Sequence, residues 1–142
     1  IVGVKFNSLQ PGGGAALAAA RAAGLPIVDH SAEWRDFDET AAYIGALDLV
    51  ITCCTSVAHL SGALGQATWV LLDVNPHWVW QLERRDSPLY PSATLYRQPA
   101  FLQWTPVLDA VGQDLRALAG AGSAWSAPAD SVDSADPAGP GR

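Results

Sequence analysis

Short apolar runs alternate with stretches of helical spacing along this chain, and the alternation predicts its elements in order. Ile1 to Leu9 and Leu25 to His30 read as strands, with an alanine-rich helix from Ala15 to Ala23 between them, closed by Gly24 and Pro26. Thr40 to Leu47 reads as a short helix after a connecting loop, Trp34 to Asp38, where Asp38 or Glu39 suits the positive end of the helix. Asp48 to Cys53 is β-branched and apolar, as a strand buried on both faces should be. A helix starting at Thr55 and Ser56 and ending at Gly65 follows, then a second buried strand, Thr68 to Leu72. Val57, Leu60 and Leu64 form an apolar stripe predicted to lie on the sheet. Ala93 to Tyr96 is a last strand, and Trp104 to Leu118 an amphipathic helix with Val107, Leu108, Val111, Leu115 and Leu118 on one face. Strands separated by helices predict an α/β fold on a parallel sheet with right-handed crossovers.

The turn between Cys53 and Ser56 is the first candidate site. It lies at the carboxyl end of a strand, where open α/β sheets bind ligands. Amide groups at a helix start point outward there, with the positive end of the helix dipole behind them, so an anion such as phosphate is the natural occupant. Thr55 and Ser56 add two hydroxyls. His59 lies on the first turn, and helical side chains lean toward the N-terminus, so its imidazole can donate to a phosphate oxygen. The competing reading of His59 is a histidine that only packs.

Two loops extend the picture. Gly12, Gly13 and Gly14 follow the first strand and give a flexible turn that could cradle a phosphate or serve as a plain loop; the run fits neither a dinucleotide fingerprint nor a P-loop. Asp73 to Pro91 carries Trp78, Trp80, Tyr90, Arg84 and Arg85, and a long aromatic loop in a compact domain is usually a lid or a ligand wall. Its aromatic faces suit a sugar or a nucleobase. Alternatively both tryptophans fill a satellite core beneath the loop. His30 reads as a loop or edge residue.

Composition narrows the classes. The 142 residues suit one domain, and 49% hydrophobic residues are enough for a core. A net charge of −6 argues against sequence-independent nucleic-acid binding, and no apolar run reaches the length of a membrane span. Cys53 and Cys54 are neighbours, which makes a structural bridge between them strained; free thiols fit a cytoplasmic location. No metal-ligand spacing is present, and no metal or cofactor is expected. The chain lacks methionine and opens directly on a strand, which predicts a piece of a longer protein. From residue 120 to 142 the sequence is small, acidic and proline-rich, and is expected to be disordered.

FNSLQPG at Phe6 to Gly12, DFDETAAYIGA at Asp36 to Ala46, TSVAHLSGALG at Thr55 to Gly65 and NPHWVWQLERRDSPLYPSATLYRQ at Asn75 to Gln98 together resemble the C-terminal half of bacterial tetratricopeptide-repeat glycosyltransferases. These are related to ADP-heptose:lipopolysaccharide heptosyltransferases and, more distantly, to O-GlcNAc transferase. The similarity covers roughly residues 1 to 119. It implies a GT-B architecture of two Rossmann-like halves, with this chain the donor-binding half. It further implies that Thr55, Ser56 and His59 hold the diphosphate of a nucleotide sugar, that Gln10 reaches the diphosphate or nucleoside, and that Trp78 and Trp80 line the cleft. An acceptor half and tetratricopeptide repeats are expected in the parent chain, so the piece alone is expected to be inactive. The chain departs from the family's pattern at Pro11, in place of a lysine, and at Cys54, in place of an aspartate. Those departures leave a degenerate domain that keeps the fold without catalysis as one alternative, and the tryptophan-rich loop offers another, an interaction module that docks a protein.

Overall fold

A computed structural model describes residues 1 to 121. The order of elements is β1 (Phe6–Ser8), α1 (Gly14–Ala22), β2 (Ile27–Asp29), a 3₁₀ turn (Ser31–Glu33), α2 (Phe37–Gly45), β3 (Val50–Cys53), α3 (Ser56–Ala63), β4 (Thr68–Leu72), a second 3₁₀ turn (Trp78–Trp80), β5 (Ala93–Arg97) and α4 (Thr105–Gly120). The fold is α/β with parallel pairing throughout the named strands, compatible with a Rossmann-like arrangement. The strands form two sheets instead of the one expected: β1 pairs with β2, and β3, β4 and β5 lie in that order. The segment 120–142, expected to be disordered, lies outside the described residues from position 122 onward.

β4 is the centre of the larger sheet and is covered on both faces. Val70 and Leu72 join Ala58, Trp80, Ala93 and Leu95 on the α3 side. Trp69 joins Tyr96, Val107, Val111 and Leu115 on the α4 side, where Val4, Phe6 and Leu71 also pack. Alternate residues of one strand therefore feed two cores, as the pleat requires. Phe6 in the second core ties the small sheet to the large one, and Tyr43 Oη, donating to Asn7 Oδ1 at 3.0 Å, ties α2 to β1.

Several boundaries differ from the sequence expectation for local reasons. The first strand is only Phe6–Ser8, because Ile1 to Val4 closes a turn, with Val4 N–H donating to Ile1 O at 3.4 Å. β2 begins at Ile27, since Leu25 belongs to the cap of α1: its amide donates to Ala20 O. α2 starts at Phe37, three residues before Thr40, on the N-cap Asp36. Asp36 accepts from Glu39 N–H at 3.0 Å, and the Glu39 carboxylate accepts from Arg35 N–H at 2.6 Å.

The expected stripe on α3 is corrected more substantially. Its buried residues are Ala58, Ser61 and Gly62, whereas Leu64 is 49% exposed. Small residues at i, i+3 and i+4 let α3 approach the sheet closely. Ser61 Oγ meets Thr68 Oγ1 at 2.6 Å, and Thr68 Oγ1 donates to Gln66 O, so the hydroxyls buried in that contact are paired. On α4, Val107, Val111 and Leu115 are buried and Leu108 is 56% exposed, because Leu108 lies a hundred degrees round the helix from Val107.

The C-terminus of α3 shows how firmly one glycine fixes an end. Gly65 has φ 69°, its amide donates to Gly62 O, and Gln66 N–H donates to Ser61 O, the paired bonds of a Schellman motif. A Cβ at Gly65 would meet nothing, so the cost of a side chain there is the backbone conformation alone. Gly65→Ala is expected to lower stability by about 1 kcal/mol, and Gly65→Asn by less, as asparagine tolerates that region; chemical denaturation of the three proteins measures both.

Candidate functional site

The residues of the predicted site gather unevenly. Thr55 is the N-cap of α3, in extended conformation with φ −134° and ψ 176°, directly after the carboxyl end of β3. No side chain caps this helix: the Thr55 hydroxyl lies 3.3 Å from Thr52 Oγ1 instead. Among the described α-helices only α2 has a side-chain cap; α1 and α4, like α3, have none. Ala58 N–H closes a turn on Thr55 O at 3.0 Å, which leaves the amides of Ser56 and Val57 facing outward from an exposed turn. The Thr55 and Ser56 side chains are themselves exposed.

His59 is half-buried, and its surroundings are specific. Its ring stacks on the indole of Trp80, with centroids 5.2 Å apart and planes 28° apart, and meets Tyr90 edge-on at 5.7 Å. Nδ1 is 3.0 Å from Tyr90 Oη. Nε2 has no hydrogen-bond partner among the described residues. Packing and polar contact thus coexist in this histidine: one nitrogen is engaged and the other is left over.

The loop from Asp73 to Ser92 is the source of both aromatic neighbours. It leaves the carboxyl end of β4, turns through Trp78–Trp80, and returns so that Asp86 bridges to Thr94 and Leu95 N–H donates to Arg85 O at 2.6 Å. That return covers part of the free edge of β5. Arg97, at the end of β5, donates through Nη2 to Gln81 O at 2.8 Å and to Trp80 O at 3.4 Å, clamping the 3₁₀ turn against the sheet. Burial pulls the Arg97 guanidinium below its ordinary pKa, with Asp73 opposing the shift.

Trp80 and Trp78, expected together on a cleft wall, part company. Trp80 is fully buried and belongs to the core beneath α3, so it cannot present a face to a ligand. Its Nε1–H donates to Cys54 Sγ at 3.0 Å, which fastens the loop to the end of β3. Trp78 points outward and is 79% exposed. Two residues apart in a tight turn, the indoles take opposite sides. Cys54 therefore has a structural duty: it is the acceptor that a buried indole N–H requires. Both cysteines are free thiols.

Gln10 stands elsewhere, in the turn after β1. Its carbonyl accepts from Gly13 N–H at 3.2 Å, and its side chain covers Gly13. No hydrogen bond among the described residues joins it to Thr55, Ser56 or His59. Tyr90, read from the sequence only as part of the aromatic loop, proves to be the partner of His59. Its only signal is membership of a loop leaving the same edge of the sheet; nothing in the spacing places it under α3.

A groove of about 610 Å³ runs between Arg84, Arg85, the end of β5 and α4, and it includes no residue of α3. Two of its charged groups, Arg85 and Asp114, pair with each other, and Arg84 pairs with Asp86 beside it. Arg85 lies 3.3 Å from Asp114 and over the Tyr96 ring, and Tyr96 Oη donates to Asp114 at 2.7 Å. Burial, then the Asp114 carboxylate, push the Tyr96 phenol well above its ordinary pKa. Side chains of this groove hold α4 to β5, and the α3 turn lies apart from it. No helix among the described residues is long and apolar enough to cross a membrane.

Cys54→Ala should leave the Trp80 N–H buried without an acceptor and lower stability by about 1–2 kcal/mol. Cys54→Asp supplies a carboxylate acceptor at the same place and should recover most of that loss. Thermal melts of the two variants check this, with the indole N–H resonance of Trp80, assigned by Trp80→Phe, reporting whether its hydrogen bond survives. No family model matches the chain, and no curated protein or solved structure shows significant similarity to it.

Proposed function

We propose that this chain is the nucleotide-diphosphate-sugar-binding half of a glycosyltransferase, and that it holds the donor diphosphate at the start of α3. The observation that carries the reading is the uncapped turn at Thr55 and Ser56, with His59 held one turn into the same helix with its Nε2 uncommitted. The sequence resemblance supplies the substrate class. In this reading the amides of Ser56 and Val57 bind phosphate oxygens, the hydroxyls of Thr55 and Ser56 add neutral contacts, and His59 donates through its ring. As the glycosidic bond breaks, negative charge grows on the leaving diphosphate. Donors already fixed in place stabilise that charge more than they stabilise the bound donor, and so lower the barrier. Gln10 and the residues of an acceptor half complete the cleft in the parent chain, together with tetratricopeptide repeats.

A second reading has its own observation. Trp78, Leu82 and Leu89 are 79%, 63% and 53% exposed on one loop, a surface that suits a protein partner. The two readings separate in a single titration. Uridine, guanosine and adenosine diphosphates are added to labelled protein while backbone amides are followed by NMR. Saturable shifts at Ser56, Val57 and His59 with one of the three support the donor site; silence from all three at millimolar concentration removes it and leaves a domain without nucleotide binding, or the docking loop.

Ser56→Pro is the sharper variant. Thr55 is already extended, as a residue before proline should be, and the first helical position accepts proline readily. The fold should persist while one phosphate-facing N–H is deleted. Loss of a hydrogen bond to a charged group is worth about 1.5–3 kcal/mol, so diphosphate affinity should fall about ten- to a hundredfold. Calorimetric titration measures it, and unchanged affinity would refute the site.

A further inference from the structure

We infer that Tyr90 is a positioning residue for His59: its hydroxyl fixes the imidazole in the tautomer that carries the proton on Nε2. The inference deepens the diphosphate reading and rests on it for the purpose of that proton; the tautomer is argued independently, from the Tyr90 contact and the relative donor strength of a phenol.

Tyr90 Oη lies 3.0 Å from His59 Nδ1. One partner must donate. A phenol is a good donor and a poor acceptor, whereas the unprotonated nitrogen of a neutral imidazole is a good acceptor, so the O–H donates to Nδ1. The tautomer of a histidine is set by the bond its other nitrogen makes. With Nδ1 accepting, the ring proton resides on Nε2, the nitrogen with no partner among the described residues. An N–H there can donate to an anionic oxygen; a lone pair there would repel it.

The arrangement is locked from several sides. The Tyr90 ring lies directly on Gly62, where a Cβ would come within 2.8 Å of Cδ1 and Cδ2 and closer still to Cγ. Tyr90 N–H donates to the Ser87 hydroxyl at 3.3 Å, and Tyr90 O accepts from Ala93 N–H at 2.9 Å, so the backbone on which the phenol hangs is anchored at the start of β5. The Tyr90 and Trp80 rings are 5.9 Å apart, and Trp80 itself stacks on His59. The imidazole is thus bordered by two aromatic rings, one of which carries the hydroxyl. Gly62, which the spacing of apolar residues gives no reason to notice, is the notch that admits the phenol.

The test measures His59 in the full chain without ligand. Two-bond proton–nitrogen spectra at alkaline pH, where imidazoles are neutral, separate the two tautomers, and His59→Gln assigns the signal among the three histidines. The wild-type protein should show His59 protonated on Nε2. Tyr90→Phe keeps the ring on Gly62 and removes only the hydroxyl, so the melting transition should be nearly unchanged while the Nδ1-protonated form becomes populated. With inorganic pyrophosphate as probe, the same variant should bind about tenfold more weakly. His59 protonated on Nδ1 in the wild type would overturn the inference, as would an identical tautomer in Tyr90→Phe. Should the variant fail to fold, the wild-type spectrum still decides. If the tautomer responds as expected and pyrophosphate binds to neither protein, the control of His59 by Tyr90 stands and the diphosphate reading falls.

Discussion

The indole of Trp80 is buried completely between α3 and the three-stranded sheet, and the carboxyl edge of that sheet depends on it. A buried aromatic of this size contributes several kcal/mol through the area it removes from water, but its N–H must find an acceptor or much of that gain is lost. Cys54 Sγ is the acceptor. The carbonyls of Trp80 and Gln81 take the Arg97 guanidinium, and one face of the indole takes the imidazole of His59. A loop that would otherwise hang free is therefore pinned to the ends of β3 and β5 and to α3. Trp80 thus fixes the loop and the His59 ring in one arrangement.

The close approach of α3 makes this possible. Ala58, Ser61 and Gly62 bury less apolar surface than the leucines on the same helix would, so on area alone this is the poorer face to turn inward. What it gains is room. Trp80 and Tyr90 fill the space that larger side chains would occupy, and the aromatic volume comes from the loop instead of from the helix. Helix and loop consequently share one core, and the position of His59 follows from that sharing.

Much of the architecture is legible in the sequence because it rests on local rules. β3 and β4 follow from β-branched apolar runs, the ends of α1 and α3 from Gly24 and Gly65, and the α4 face from Val107, Val111 and Leu115. The parts that are not legible depend on contacts distant in sequence. Periodicity marks Val57, Leu60 and Leu64 as the inner face of α3 because it weighs hydrophobicity, whereas the sheet and the loop select for size. Trp78 and Trp80 are the same residue type two positions apart, and only the 3₁₀ turn decides that one goes in and one goes out. Tyr90 lies 31 residues from His59, and no pattern within either element announces the bond between them. The Asp36 cap is a local signal, and it sets the start of α2 ahead of the apolar run that begins at Thr40.

The helix start and the histidine carry unequal weight in a functional reading. Amides at an exposed helix end are satisfied by water as well as by phosphate, and leaving off a capping side chain costs only about 1 kcal/mol. Such an end distinguishes a binding turn from an ordinary one poorly. A half-buried imidazole is different. One of its faces stacks on Trp80, Tyr90 meets it edge-on, and its Nδ1 has a partner in the Tyr90 hydroxyl, while Nε2 has none among the described residues. Packing alone would be served equally well by a leucine at this position, with no polar atom to desolvate. An imidazole held by a phenol from another element, one turn into the helix, is the feature of this turn that packing and capping do not account for.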